Sequence, residues 1–156
     1  MFSEDFINHE RISCGNSATS KKRALQSLGE LLALSTPELS PNETFDKLLE
    51  RERLGSTGLG HGIALPHARV SGIDKAYGAF IQLETGVEFD AIDNQPVDLI
   101  FGLLVPESAT KEHLQLLAQL ASMFSNAGFC EKLRQATQPD EIMRQIDHWK
   151  NIENSA

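Results

Sequence analysis

The chain lacks the features that mark membrane-spanning, disulfide-stabilised and nucleic-acid-binding proteins. Its longest apolar run, Leu99 to Val105, is far shorter than the roughly 20 residues that span a bilayer. Cys14 and Cys130 stand far apart without CxxC spacing, so we expect two reduced thiols rather than a disulfide framework. Fourteen Lys and Arg against 22 Asp and Glu give a formal charge of −8. Such a balance argues against the basic footprint that nucleic-acid binding requires.

The start of the sequence also lacks a targeting signal. Its first ten residues, MFSEDFINHE, contain no basic stretch followed by an apolar one, which is the pattern of a signal peptide. A length of 156 residues with 40% hydrophobic content is ordinary for one globular domain. We therefore expect a single cytoplasmic domain over residues 1–156, with its core at about 10–150 and no direct membrane insertion.

Helical and strand patterns alternate along the chain without a strict βα repeat. Apolar residues three or four positions apart predict four helices. The first is capped within Ser17–Ser20 and runs to about Leu34, the second begins at Pro41, the third follows a cap at Ser108 or Thr110, and the last begins at Pro139. The third helix should bury Leu114, Leu117, Ala121 and Phe124, with Leu116 and Leu120 widening this apolar stripe. Alternating or continuous apolar runs predict strands at 11–14, 63–65, 76–83, 87–89 and 97–105. These patterns favour an α/β fold, a single-domain sandwich of helices on a mixed, mostly five-stranded β-sheet.

Residues 54–70, LGSTGLGHGIALPHARV, hold the most informative pattern of the sequence. Glycines here permit positive φ and a close approach of the backbone to a partner. Pro66 has a fixed φ and no N–H, so we expect it to end the short strand and to display His67 rigidly. The cationic residues nearby in sequence are Arg51, Arg53, His61 and Arg69. Guanidinium groups and imidazole suit a phosphoryl group, so the pattern favours a phosphorylated histidine over a loop histidine without a task.

His113 is the second candidate, because a helix that begins at Thr110 places it in the first turn. The positive end of the helix dipole favours neutral imidazole there, which can donate one hydrogen bond to a phosphoryl oxygen. An exposed helix-start histidine is the alternative, and spacing does not show whether His113 meets His67. The basic first turn of the first helix, Lys21 to Arg23, is either a solvated surface or a docking contact for an acidic group.

Three other kinds of functional site have weaker support in the sequence. A zinc site built from His61, His67 and His113 lacks HExxH or clustered Cys/His spacing. The glycines of GSTGLGHG come without GK[ST], a preceding strand or a following helix, so neither a Walker loop nor a dinucleotide fingerprint is present. Cys14 and Cys130 have no local signature of a nucleophile. We expect neither a metal nor a cofactor.

The run RERLGSTGLGHGIALPHAR, with VDLIFGLLVP and EHLQLLAQL downstream, resembles the IIA components of the bacterial phosphotransferase system, in the fructose/mannitol class. Within this class the chain most resembles the nitrogen-regulatory (IIA-Ntr) branch, over Ser20 to Trp149, and the core G-I-A-[IL]-P-H is specific. His61 stands where this branch has asparagine, and Arg69 replaces a lysine. The resemblance implies one type-2 IIA domain with a phosphotransferase/anion-transport-like fold.

The resemblance also implies the roles of individual residues. His67 is then the phosphorylated nucleophile, which attacks through Nε2 while Nδ1 bonds a backbone carbonyl. Arg51 pairs with the phosphoryl group, and His113 is the second active-site histidine. The implied donor is an HPr-like phosphocarrier protein, called NPr in this branch and loaded from phosphoenolpyruvate by an enzyme I. The residues that we expect to form an apolar rim for the carrier are Leu59, Ile63 and Leu65.

Two functions stay open for such a phosphoryl carrier, which is not a small-molecule turnover enzyme. As a regulator, it would change partners when phosphorylation adds a charge of about −1.5 to −2; the family suggests potassium transport, nitrogen metabolism and sensor kinase proteins as targets. As a transport component, it would pass the phosphoryl group to a IIB domain and on to a sugar. We expect a IIA domain without an attached IIB or IIC portion, and with the likeness to the nitrogen branch this favours regulation. The sequence leaves the downstream partner and a possible homodimer undecided.

Overall fold

A mixed sheet of six strands organises residues 5–155, the part of the protein that the computed structural model describes. Five α-helices cover this sheet in the described residues, and a 3-10 turn at His9–Arg11 precedes its first strand. The elements in chain order are β1 (Ile12–Asn16), α1 (Lys21–Ala33), α2 (Pro41–Leu54), β2 (Gly58–Gly60), β3 (Ile63–Ala64), β4 (His67–Val70), β5 (Tyr77–Val87), β6 (Val97–Pro106), α3 (Thr110–Phe124), α4 (Ala127–Gln135) and α5 (Pro139–Ser155).

The strand order is β1-β5-β6-β3-β2, and β4 pairs with β6 beside this path. β5 and β6 are antiparallel, whereas β1 is parallel to β5 and both β3 and β4 are parallel to β6. The predicted class, helices on a mixed sheet, is confirmed. The sequence patterns did not predict β2 and β4, and residues 87–89 do not form a separate strand because β5 extends to Val87.

The central strand β6 is covered on both faces, as its continuous apolar run predicts. On one face Leu99, Phe101 and Leu103 pack against apolar residues of α3, α4 and α5. On the other face Ile100 and Leu104 pack against the apolar sides of α1 and α2. The sheet therefore lies between two layers of helices, and among the helices of residues 5–155 none has both the length and the apolar character that crossing a bilayer requires.

Side-chain caps fix where α1 and α2 begin. The Ser20 hydroxyl accepts from the Arg23 N–H, and the Ser40 hydroxyl accepts from the Glu43 N–H just before Pro41 at the first helical position. The expected cap of α3 at Ser108 or Thr110 is wrong. Its N-cap residue is Ala109, which offers no side-chain hydrogen bond.

The buried side of α3 also differs from the expectation. Leu114 is 70% exposed, although the helical spacing predicts it to be buried. The buried apolar side chains lie in the second half of the helix, at Leu120, Met123 and Phe124. The first turn of α3 lies over a cleft rather than over the sheet, so its apolar residue meets solvent.

β3 ends at Ala64, ahead of Pro66 as expected, but the chain returns to the sheet at once as β4 from His67. β3 and β4 pair with β6 in one continuous register, with Ile63 opposite Leu99 and His67 opposite Leu103. The Leu103 N–H donates to the Pro66 carbonyl across 2.9 Å, so the proline removes a donor but keeps an acceptor. His67 consequently begins β4, and both neighbouring segments fix the direction of its backbone.

Candidate functional site

A cleft of about 770 Å³ opens where the last turns of α2, the start of β4 and the first turns of α3 meet. Its lining includes all three predicted site residues, Arg51, His67 and His113. These residues are far apart in the sequence, and they meet because β4 lies beside β6, which leads into α3.

The ring of His67 is half-buried and held in one orientation. Its Nδ1 lies 2.8 Å from the Leu65 carbonyl oxygen. A carbonyl only accepts, so Nδ1 carries the proton and Nε2 keeps its lone pair. The Arg51 Nε–H donates to this Nε2 across 3.3 Å, and Arg51 Nη1 donates to the Gly55 carbonyl across 2.8 Å. This geometry agrees with the Nδ1 hydrogen bond that the family resemblance implies.

The position of the Leu65 carbonyl follows from the strand pairing. The Leu65 N–H donates to the Thr57 carbonyl across 3.1 Å, on the side away from β6. The C=O of a residue in a strand points to the same side as its N–H. The Leu65 carbonyl therefore also points away from β6, where it meets the ring of His67 two residues later.

His113 packs edge-on against His67, with ring centroids 5.0 Å apart and ring planes at 83°. It is only 9% exposed, so the alternative of an exposed helix-start histidine is wrong. Burial, followed by the neighbouring His67 and the charges of Arg69 and Arg51, lowers the pKa of His113 to about 4. The ring is thus neutral at pH 7 and has one N–H to donate.

The pKa of His67 is also below the usual histidine value. Burial is the main cause and the Arg51 charge adds to it, while the bond to the Leu65 carbonyl and the Glu52 charge oppose the shift. His67 is therefore neutral at pH 7 with its Nε2 lone pair available. Arg51, Arg69 and Lys47 line the cleft beside one carboxylate, that of Glu50. The lining is therefore cationic on balance and suits an anion.

A family model described as phosphoenolpyruvate-dependent sugar phosphotransferase system, EIIA 2, matches residues 5–149. The chain belongs to this family. A nitrogen regulatory protein of Pseudomonas aeruginosa is 50% identical over 117 residues, which are 75% of this chain and 76% of that protein. The resemblance to the IIA components, and to their nitrogen-regulatory branch, is confirmed.

Solved structures of EIIA proteins share the fold. The crystal structure of nitrogen regulatory protein IIA-Ntr from Neisseria meningitidis matches with a TM-score of 0.84 and 43% identity, over 90% of this chain and 96% of that one. Enzyme IIAMTL of Escherichia coli, determined in complex with phosphorylated enzyme IIBMTL, matches with a TM-score of 0.75 and 25% identity, over 95% and 99% of the two chains.

His61, where the resemblance to the nitrogen-regulatory branch predicts asparagine, does not line the cleft. Its backbone N–H donates to Asp93 Oδ2 across 2.9 Å, and its carbonyl accepts from Arg134 Nη2 across 2.8 Å. It lies two residues before Ile63, the first residue of β3, and the β6 partners of Ile63 and His67 are four residues apart, a separation of roughly 13 Å. A zinc site shared by His61, His67 and His113 is therefore excluded by geometry.

The apolar rim of the cleft differs from the expected one. Ile63 and Leu65 are buried, and Leu59 does not line the cleft. The exposed apolar side chains at its mouth are Leu54, 85% exposed, and Leu114, 70% exposed. The sequence contains a signal for both leucines. Leu54 follows Arg51 by about one helical turn and Leu114 follows His113 directly, so each leucine is expected near a site residue.

Lys21 has a role that neither sequence-based alternative anticipated. Its Nζ lies 2.9 Å from Glu52 Oε2 and 4.6 Å from the centre of the Phe89 ring. Glu52 is buried, so the charge of Lys21 compensates an interior carboxylate. Only Lys22 and Arg23 of this basic turn are exposed.

Proposed function

We propose that this chain is a histidine phosphocarrier that accepts a phosphoryl group on Nε2 of His67. The observation that carries the proposal is the state of this ring. The Leu65 carbonyl holds the proton on Nδ1, and Nε2 presents a lone pair beside Arg51 in a cationic cleft. Membership of the EIIA 2 family supports the same assignment. In this proposal residues 1–156 form one type-2 IIA domain, with its core at about 10–150.

The transfer begins with attack of the Nε2 lone pair on the phosphorus of a phosphohistidine on the donor protein. A new N–P bond forms on His67 while the N–P bond of the donor breaks, and its electron pair returns to the donor ring. Nδ1 keeps its proton throughout, since it remains bonded to the Leu65 carbonyl. His67 therefore needs no general base.

Arg51 and His113 stabilise the charge of the transferred group. Phosphoryl transfer passes through a loose transition state with charge on the equatorial oxygens, so positioned donors supply most of the catalysis. Arg51 Nε lies 3.3 Å from the attacking nitrogen, within reach of oxygens on a phosphorus bonded there. Neutral His113, in contact with the His67 ring, donates its single N–H without adding a repelling charge to the histidine pair.

The proposed donor is an HPr-like phosphocarrier protein, NPr in the nitrogen branch. Leu54 and Leu114 flank the cleft and are exposed, so they can pack against an apolar patch around the donor histidine and exclude water from the transfer. Arg69 and Lys47 at the same mouth attract the phosphorylated form of the donor.

We further propose that the phosphate on His67 acts as a regulatory switch in nitrogen and potassium metabolism, with potassium transport or sensor kinase proteins as targets. It would add a charge of about −1.5 to −2 between two exposed leucines, and so change which partner can dock. The names of the relatives as nitrogen regulatory proteins support regulation. The alternative, transfer to a fructose/mannitol-type IIB domain, is favoured by the likeness to enzyme IIAMTL, which was determined with phosphorylated IIBMTL.

The proposal is tested by intact mass after incubation with phosphoenolpyruvate, enzyme I and an HPr-like carrier. We expect one acid-labile phosphoryl group on the wild type and on His148→Ala, a control at an exposed histidine of α5, and none on His67→Ala. A full equivalent of phosphate on a folded His67→Ala protein would contradict the assignment. Subsequent loss of the phosphate to an added IIB domain would favour transport, and its retention would favour regulation.

A further inference from the structure

A buried carboxylate that the phosphoryl transfer does not use lies directly beneath the site. Glu52 follows Arg51 in α2, and its side chain is 2% exposed. Both of its oxygens lie 3.3 Å from the Thr57 backbone nitrogen, and the Thr57 hydroxyl donates to Oε1. Lys21 Nζ is 2.9 Å from Oε2. A buried charge is costly unless it is paired and bonded, so this carboxylate fastens the glycine loop to α2 and α1.

The hydrogen bonds of Glu52 continue to the candidate nucleophile. Thr57, which donates to Glu52, accepts through its carbonyl from the Leu65 N–H across 3.1 Å. Leu65 in turn accepts through its carbonyl from His67 Nδ1 across 2.8 Å. The chain of bonds from Lys21 to the His67 ring therefore has no gap, and we call it the Glu52 chain (Lys21, Glu52, Thr57, Leu65 and His67).

We propose that Glu52 is a positioning residue for His67. By holding Thr57, it fixes the Leu65 peptide so that the Leu65 carbonyl keeps the proton on Nδ1 and Nε2 faces the cleft. The consequence for phosphoryl transfer rests on the proposed function, whereas the protonation site of the ring is measurable without any transfer.

The charge of Glu52 is needed because three donors converge on it. The Thr57 N–H, the Thr57 O–H and the Lys21 ammonium all point at its two oxygens. A glutamine of the same size would present an NH₂ group to one of these donors. It would also remove the nearer counter-charge of the half-buried Lys21 and leave it only Asp90 Oδ2 at 3.9 Å. The loop at Thr57 would then lose its fixed position, and the Leu65 carbonyl with it.

The test compares Glu52→Gln with the wild type in two measurements. In the first, ¹⁵N chemical shifts of the His67 ring at pH 8, where the ring is neutral, report which nitrogen carries the proton. We expect only the Nδ1–H form in the wild type and a mixture of both tautomers in the variant. In the second, the rate of phosphoryl transfer from an HPr-like carrier should fall by roughly tenfold to a hundredfold, the usual effect of losing a partner that orients a functional histidine.

Three further variants separate positioning from stability. Thr57→Val removes the hydroxyl and should shift the tautomers in the same direction, and it decides the question if Glu52→Gln does not fold. Thr57→Ser keeps the hydroxyl and should behave as the wild type. Leu48→Ala, at a fully buried position of α2 outside the Glu52 chain, should lower the melting temperature and leave the tautomer unchanged.

The proposal is overturned if folded Glu52→Gln and Thr57→Val both retain the Nδ1–H form, or if Leu48→Ala mixes the tautomers to the same extent. A wild type that accepts no phosphate would refute the proposed function. The tautomer comparison would still decide whether Glu52 positions His67, so the two failures are distinguishable.

Discussion

His67 and His113 form a pair of neutral imidazoles in contact, and the neighbouring His67 helps to lower the pKa of His113. Burial is the largest cause of the lowered pKa of both residues, and the Arg51 charge acts on both in the same direction. One ring is thereby left as a nucleophile and the other as a hydrogen-bond donor. Two histidines thus take different roles through the partners of their ring nitrogens.

The pKa of His113 predicts a pH dependence of stability. Between its usual pKa of 6.5 and about 4, the unfolded chain takes up a proton that the folded protein does not, so stability falls as the pH decreases through this interval. His113→Gln should lose less stability than the wild type between pH 7 and pH 5, by roughly 1 kcal/mol after allowance for screening in an open cleft. Urea unfolding at both pH values measures the difference, and an identical loss in both proteins would contradict a neutral His113.

The guanidinium of Arg51 gives a second prediction at the residue scale. Arg51→Lys keeps the charge but loses the planar fork and the Nε–H that faces His67. We expect the rate of phosphoryl transfer to fall by about tenfold to a hundredfold with little change in melting temperature. Arg53→Lys, an exposed change in the same turn of α2, is the matched control. Equal rates for the two variants would remove Arg51 from the transfer step.

At the scale of elements, α1 approaches β6 closely because Gly102 of β6 has no side chain. A Cβ at Gly102 would lie 2.6 Å from Leu28 Cδ2 and 2.7 Å from Leu28 Cγ. Leu28 is fully buried, so its side chain has little space into which to move. The layer of α1 and α2 therefore sits on the sheet at a distance that Gly102 permits.

Gly102→Ala should consequently destabilise the protein by about 1–3 kcal/mol through overpacking. Denaturant unfolding measures this cost. In the double variant Gly102→Ala/Leu28→Ala the smaller side chain makes room, so the two changes together should cost less than the sum of the single ones. Strict additivity would show that Leu28 is not what the new methyl group meets.

At the scale of the whole molecule, three elements from distant parts of the sequence meet around the cleft, whose mouth is the proposed docking surface for the carrier. Leu54 at the end of α2 and Leu114 in α3 are its exposed apolar residues. Replacing both by serine should raise the KM for the carrier about tenfold, because apolar contact is lost while the reacting groups remain. Ile92→Ser changes an equally exposed residue outside the cleft and is the control. A lower kcat with an unchanged KM would argue against a docking role.

The sequence predicted features that depend on neighbouring residues. The cap of α1 within Ser17–Ser20, the start of α2 at Pro41 and the central strand β6 were predicted correctly, because capping and periodicity act over a few positions. The sequence also singled out Arg51, His67 and His113 as site residues, which the structure places in one cleft; their roles in transfer stay predictions. The cap of α3 was wrong, since Ala109 begins the helix without any side-chain hydrogen bond.

By itself the sequence determined the fold class and the family. Only the tertiary structure decided that His113 meets His67, that His61 lies outside the cleft, that Leu114 faces solvent and that Lys21 bonds a buried Glu52. The physical reason is the range of the interactions. Helix caps and strand periodicity are set within a few residues, whereas these contacts depend on how α1, α2 and α3 pack around the register of β3 and β4 on β6.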